Sequence, residues 1–386
     1  MKKITDNLIF KLSLGVILGI IIGIQSSEDM MKFMVSVKYL LGQIIFFCVP
    51  LIILAFITPS IVKLKANASK MLGTTVLIAY ASSVGAAAFA VISGYSIIPH
   101  LNIISEAEAL KKLPEIAFEL NIPPVMSVMS ALVLSFLVGL SVIWAKSESF
   151  EKILDDFQNM MLQVVHKVII PILPFFIATT FSTLSYNGSI TKQLPIFLKV
   201  IVLVLIGHFI WLALLYGLGG IISKKNPFEV FKNYGPAYLT AVGTMSSAAT
   251  LPVALSCARK SKVLDKKIVD FAIPLGSTVH LCGSVLTETF FIMVVSKVLY
   301  GTLPTVGTMI TFIILLGIFA VGAPGVPGGT VMASLGIVTS IIGFDQSGIG
   351  LLLAIFAIQD SFGTACNITG DGAIALILTG LYKEIK

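Results

Sequence analysis

Charge is scarce in this chain. Only 12% of its 386 residues are Asp, Glu, Lys or Arg, against 56% that are hydrophobic. An ordinary soluble domain carries about twice that share of charge. Arginine is almost absent, Arg259 being the single example. Four cysteines, Cys48, Cys257, Cys282 and Cys366, are scattered without a CxxC pair, so neither a disulfide framework nor a zinc site is expected. No nucleophile–base pair or metal-ligand cluster stands out, so the chain does not read as an enzyme. The net charge of +7 comes from short lysine clusters rather than one basic face, which excludes a nucleic-acid footprint. Disorder, nucleic-acid binding and a small soluble enzyme are all ruled out.

What is present is apolar length. The mean hydropathy is +1.01, and runs of about 20 apolar residues suffice to span a bilayer. Candidate spans are 8–24, 34–61, 71–98, 123–145, 160–185 and 193–222. The first has basic residues before it and no small-residue cleavage site after it, so it reads as a retained span rather than a signal peptide. Lysines cluster at Lys2, Lys3 and Lys11, at Lys63, Lys65 and Lys70, at Lys224, Lys225 and Lys232, at Lys260 to Lys267, and at Lys383 and Lys386. The segment from Ser105 to Glu119 is acidic or nearly neutral. The positive-inside rule then places both termini in the cytoplasm of a multi-pass cell-membrane protein.

The pattern changes after residue 223. Residues 227–258 are interrupted by Gly243, Ser246, Ser247, Thr250 and Pro252. Residues 268–300 form a long apolar run that holds His280, Cys282 and Glu288. Residues 303–343 are interrupted again, by Gly322, Pro324, Gly325, Pro327, Gly328 and Gly329, and 345–382 is a last span. Two broken segments, each preceding a helix with polar residues, point to an inverted repeat with paired helical hairpins. Irregular backbone at membrane depth is tolerated only around an enclosed or wet cavity, so the breaks predict a binding site near the midplane.

Ionisable groups inside a membrane mark function by default. At about 100° per residue, Asp360, Thr364, Asn367 and Asp371 share one narrow stripe of the last span. A carboxylate there can hold an ammonium group or a bare cation. The amide can donate to one ligand group and accept from another. A polar seam that glues helices together accounts for Asn or Thr, but not for two aspartates on one stripe. The hairpin tips Met245 to Pro252 and Gly322 to Gly329 offer helix N-termini suited to a substrate carboxylate.

These residues give the chain a specific resemblance over essentially its whole length. Ser246 to Pro252, Pro274 to Thr278, Gly325 to Gly329, and Asp360 through Asn367-Ile368-Thr369-Gly370-Asp371 resemble the dicarboxylate/amino-acid:cation symporter family, the glutamate-transporter homologues. The resemblance implies an all-α polytopic membrane protein of eight transmembrane helices plus two re-entrant hairpins, working as a homotrimeric elevator. Scaffold segments would be 1–70 and 101–190, and transport segments 71–100 and 191–386. Asp360 would hold the substrate ammonium. Asn367 would take its α-carboxylate, helped by backbone at Ser246, Ser247, Ala248 and Val326, with Thr364, Ser284, Gly329 and Gly363 alongside. Asp371 would ligate sodium with Asn367, Gly276 and His280 nearby, and a second sodium site would lie near Thr278. Tyr80, Ser82 and Ser83 would line an ion path. No organic cofactor is implied.

Three departures refine this expectation. The family's acidic-substrate members carry an arginine three residues after the retained aspartate, and here that position is Gly363. No basic residue occurs between Asp345 and Tyr382, so a substrate side-chain carboxylate would be buried unpaired. A small neutral amino acid such as serine, threonine or alanine is therefore expected, and Gln359 to Ala365 resembles the family's serine/threonine branch. Second, Cys282 replaces an aspartate of the seventh-span motif, which removes a hard anionic ligand. Third, Glu288 stands where proton-coupled relatives carry their protonatable glutamate. It reads either as a proton carrier or as a hydrogen-bonded structural acid. His280 reads as a packed neutral imidazole ahead of a proton carrier. The expected function is symport of a neutral amino acid with sodium, and with a proton if Glu288 carries one. An acidic amino acid or C4-dicarboxylate symporter is the alternative; a channel or membrane sensor on this scaffold is the alternative of another class.

Overall fold

The computed structural model describes residues 8–66, 70–101, 103, 113–323, 325 and 327–382. Helices are the regular structure among these residues, with no strand. Lys2, Lys3, Lys383, Lys386 and most of the acidic segment after Leu101 lie outside the described residues.

The first half is built from α1 (Leu8–Gln25), α2 (Glu28–Ala66), α3 (Lys70–Ile97), α4 (Val128–Ala145), α5 (Glu148–Val164), α6 (Ile170–Tyr186) and α7 (Ser189–Ser223). Three boundaries differ from the sequence expectation. α2 starts at Glu28 rather than residue 34, with Glu28 and Asp29 in its first turn, where acids favour the positive end of the helix. α4 starts at Val128 rather than 123. Pro123 and Pro124 precede it, and Ser127 accepts from the Ser130 amide as the cap. The fifth span is preceded by α5, a surface-patterned helix capped by Ser147, which runs through a π-helical turn at Val165–Ile169 into α6. α2, at 39 residues, exceeds a core of about 30 Å, and Pro50 and Pro59 inside it are the places for it to bend.

In the second half both interrupted segments fold as two helices around a break. The short turn α8 (Phe228–Phe231) leads to α9 (Gly235–Thr244) and α10 (Ser247–Arg259). α13 (Val306–Gly322) is followed after the break by α14 (Gly329–Ile337). The apolar run 268–300 is also two helices, α11 (Lys266–Val279) and α12 (Cys282–Tyr300). Side chains start these helices: Ser246 caps α10, Asp265 caps α11 and Thr305 caps α13. The last span, α15 (Gln346–Leu381), is a single helix capped by Asp345.

Six stretches among the described residues are long and apolar enough to cross a membrane: Glu28–Pro59, Lys70–His100, Glu148–Tyr186, Ile196–Ser223, Lys266–Tyr300 and Gln346–Leu381. α15 lies at the centre and packs against α7, α12, α9 and α11. α3 packs against α12 and α13, while α2 packs against α4 and α6. α1 packs on α6 through Gly15, Gly19 and Gly23. A Cβ at Gly15 would stand 2.6 Å from the Pro174 carbonyl oxygen, and one at Gly23 would stand 2.5 Å from the Ser185 Cβ. The outer surface keeps its large apolar side chains. Ile17, Trp144, Leu198 and Ile221 are more than half exposed, the arrangement lipid favours over water.

Candidate functional site

α12 begins without a capping side chain of its own, although its first amides are buried and need acceptors. Asn367 of α15 supplies one. Its Oδ1 accepts from Gly283 N–H at 2.7 Å and Ser284 N–H at 3.2 Å, and its Nδ2 donates to Ser284 Oγ at 2.9 Å. The cap is thus tertiary, and it locks α15 to the break between α11 and α12.

Gly363, four residues earlier, makes the close approach of α12 possible. A Cβ there would lie 3.3 Å from the Ser284 Cα and 3.3 Å from its Oγ. Any side chain at this position would press against the α12 backbone. Arg259, the chain's single arginine, sits at the surface and pairs with Asp270 at 2.7 Å.

Asp360 is buried, and its Oδ2 accepts from the Gly328 amide at 2.7 Å. Gly328 has φ +72° and precedes α14, a conformation glycine adopts without steric cost. The two interrupted segments meet nearby: Ser246 Oγ donates to the Gly325 carbonyl at 2.9 Å. A Cβ on Gly325 would be 3.7 Å from Ala248 N, 3.8 Å from Ser247 Cβ and 3.6 Å from the Ser277 carbonyl. Buried Thr364 lies on the α15 stripe of Asp360, and buried Gly329 opens α14.

Asp371 is fully buried. Its Oδ1 is 3.0 Å from His280 Nδ1, while its Oδ2 has no partner. His280 Nε2 is in turn 2.9 Å from Ser82 Oγ of α3. Both imidazole nitrogens are therefore engaged. Gly276 lies against the carboxylate; a Cβ there would stand 2.7 Å from Asp371 Oδ1. A buried carboxylate oxygen without a hydrogen-bond partner suits a hard cation such as sodium. Thr278 is exposed and turns its hydroxyl back to the Leu275 carbonyl, 2.7 Å away.

Glu288 is fully buried, and its Oε1 contacts the Ser334 hydroxyl of α14 while Oε2 has no partner. The Ser334 hydroxyl also lies 3.0 Å from the Val331 carbonyl. It has one hydrogen for these two acceptors.

The structure thus gathers Asp360, Gly363, Asn367, Asp371, Gly276, His280, Ser284 and Glu288 around the inner face of α15, with Ser246, Ser247 and Ala248 at the tip contact. Val326 lies outside the described residues. Tyr80 donates to the Ile314 carbonyl at 3.2 Å, and the buried Ser83 hydroxyl has no partner. Sequence reasoning missed Ser334 and Gly283, whose parts are played by long-range contact or by backbone. It also missed His208, a histidine inside an apolar span, whose rarity there was the available signal.

Comparison with known proteins follows from this geometry. The profile described as "Sodium:dicarboxylate symporter family" matches residues 8–381. Human "Excitatory amino acid transporter 2" is 28% identical over 259 residues, covering 65% of this chain and 44% of that protein. "Excitatory amino acid transporter 3" of Mus musculus is 30% identical over 240 residues, 60% of this chain and 45% of its own length. "Excitatory amino acid transporter 1" of Ambystoma tigrinum is 28% identical over 296 residues, 74% of this chain and 53% of its own. The chain spans about half the length of these curated relatives.

Proposed function

Because the chain belongs to the sodium:dicarboxylate symporter family, we propose that it is a secondary active symporter of a small neutral amino acid, serine, threonine or alanine, coupled to sodium. The observation that carries the substrate class is the pairing of a buried acid, Asp360, with a closed Gly363–Ser284 contact where a guanidinium would be needed. An amine finds its countercharge there, and a second carboxylate does not.

The proposed topology is eight membrane spans with 227–258 and 303–343 as re-entrant hairpins. Scaffold (1–70, 101–190) and transport segments (71–100, 191–386) move past each other as an elevator in a homotrimer of the cell membrane, with both termini cytoplasmic. Sodium binds at Asp371 Oδ2 beside Gly276. One turn along α15, Asn367 holds the start of α12, so the ion and substrate sites share one rigid connection. Asp360 serves both the substrate ammonium and the Gly328 amide, which makes the closure of the second hairpin depend on what occupies the acid. Each ligand then favours the other by the same coupling free energy. Glu288 carries a proton in this reading. When Ser334 gives its hydrogen to the Val331 carbonyl, a protonated Glu288 completes the remaining hydrogen bond.

Counterflow in proteoliposomes, with sodium and pH gradients varied separately, tests the reading. Serine, threonine or alanine should compete for uptake better than aspartate; a strong preference for aspartate, glutamate or succinate overturns it. The acidic-substrate alternative is supported by the names of the relatives, and the same competition decides between them. Conductance without concentrative uptake would instead mark a channel.

A further inference from the structure

We infer that His208, on α7, is a positioning residue that holds the start of α12 in register beneath Asn367; this rests on the transport reading above for its substrate readout. His208 is 1% exposed. Its Nε2 lies 3.1 Å from the Gly283 carbonyl and 2.8 Å from Thr287 Oγ1. The Thr287 hydroxyl itself donates to the Gly283 carbonyl at 2.9 Å. A carbonyl can only accept, so a protonated Nε2 donates to the Gly283 carbonyl, with the Thr287 oxygen placed to share that one hydrogen. Nδ1 is then the bare nitrogen, and it has no partner.

The residue it grips is the informative part. Gly283 gives its amide to Asn367 Oδ1 at 2.7 Å and presents its carbonyl to His208. One residue is thus held from α15 on one side and from α7 on the other. It has no slack: a Cβ on Gly283 would fall 2.5 Å from the Gly363 carbonyl and 3.0 Å from Cys366 Sγ. The backbone carbonyl of His208 also accepts from the Cys366 thiol at 3.9 Å. His208 therefore joins three helices at the layer where Ser284, Gly363 and Asn367 meet. A purely space-filling role would be met by leucine or phenylalanine without burying an imidazole in a membrane span. The donor at Nε2 is what the site uses.

The test compares His208→Gln, His208→Asn and His208→Phe in the full chain. A glutamine Nε2 reaches the place of the imidazole Nε2; an asparagine amide stops at the depth of Nδ1. Two readouts are taken. One is KM and Vmax for serine uptake in proteoliposomes. The other is amide hydrogen exchange over residues 281–288 of the purified protein, which needs no substrate. The Asn and Phe variants should raise KM roughly tenfold, on the scale of one buried acceptor losing its donor, while Gln stays within about twofold. Exchange at 283–288 should quicken in Asn and Phe and not in Gln. Equal exchange in the Gln and Asn variants, or an unchanged KM in Phe, overturns the inference. If the wild type takes up no serine, the transport reading fails by itself, and the exchange comparison still decides on His208. If Phe does not fold, the Gln and Asn pair carries the decision.

Discussion

Gly363 and Ser284 meet at backbone distance, so that a single added carbon on Gly363 would touch the Ser284 Cα at 3.3 Å. In the proposed reading, packing of α12 against this position adds to the lack of charge there.

Gly363→Arg is accordingly expected to fail as a route to acidic substrates. The added side chain presses on Ser284 from its first carbon, at a cost of about 1–3 kcal/mol for an overpacked contact. Uptake of serine should fall sharply and aspartate uptake should not appear. Radiolabelled uptake of both amino acids checks this, and robust aspartate transport in the variant would count against the packing account.

Asp360→Ala should abolish uptake while the protein still folds, because a buried charge is removed rather than exposed. Asp360→Asn separates the two duties of the residue. It can still accept from Gly328 but offers no charge to an ammonium, so substrate affinity should drop by about 100-fold. Thermal shift with and without substrate measures both effects, and normal affinity in Asp360→Asn would remove the ammonium assignment.

Asn367→Ala strips the start of α12 of its acceptor and leaves two amides and the Ser284 hydroxyl short of partners. A stability loss of about 1–3 kcal/mol is expected, read as a lower melting temperature. Asn367→Asp restores the acceptor but cannot donate to Ser284, so it should recover only part of the loss.

Asp371→Asn should weaken the dependence of uptake on sodium. The carboxylate oxygen without a partner becomes either a neutral oxygen or a donor, and a hard cation loses its anionic ligand. The sodium concentration for half-maximal uptake should rise by about tenfold or more. An unchanged sodium response would move the ion site elsewhere.

Glu288→Gln tests the proton. Wild-type uptake should speed up when the outside is made more acidic than the inside, since inward proton flow then adds to the driving force. The glutamine variant should lose that response while retaining exchange of internal for external amino acid. A wild type indifferent to the gradient would leave Glu288 as a structural acid bonded to Ser334.

The sequence was legible where local chemistry announces itself. Gly, Pro and Ser disrupt helical periodicity, so the breaks near Met245 and Pro327 could be read directly, as could the polar stripe from Asp360 to Asp371. The break at His280 and Leu281 was not legible from the pattern, because 268–300 stays apolar throughout and the compensating acceptor, Asn367, lies 84 residues from Gly283. Gly363 could be read as an absence of charge; that it is also a contact required knowing its neighbour. Residues acting through their backbone, such as Gly328, leave little trace in side-chain chemistry.

The glycine stripe of α1 has a mechanical consequence. With Gly15 and Gly23 seated against Pro174 and Ser185, the two helices mesh main chain to main chain, and any slide of one along the other would drive Cα atoms over carbonyl oxygens. That seam resists sliding, so a bulkier residue at any of the three glycines would have to push the two helices apart.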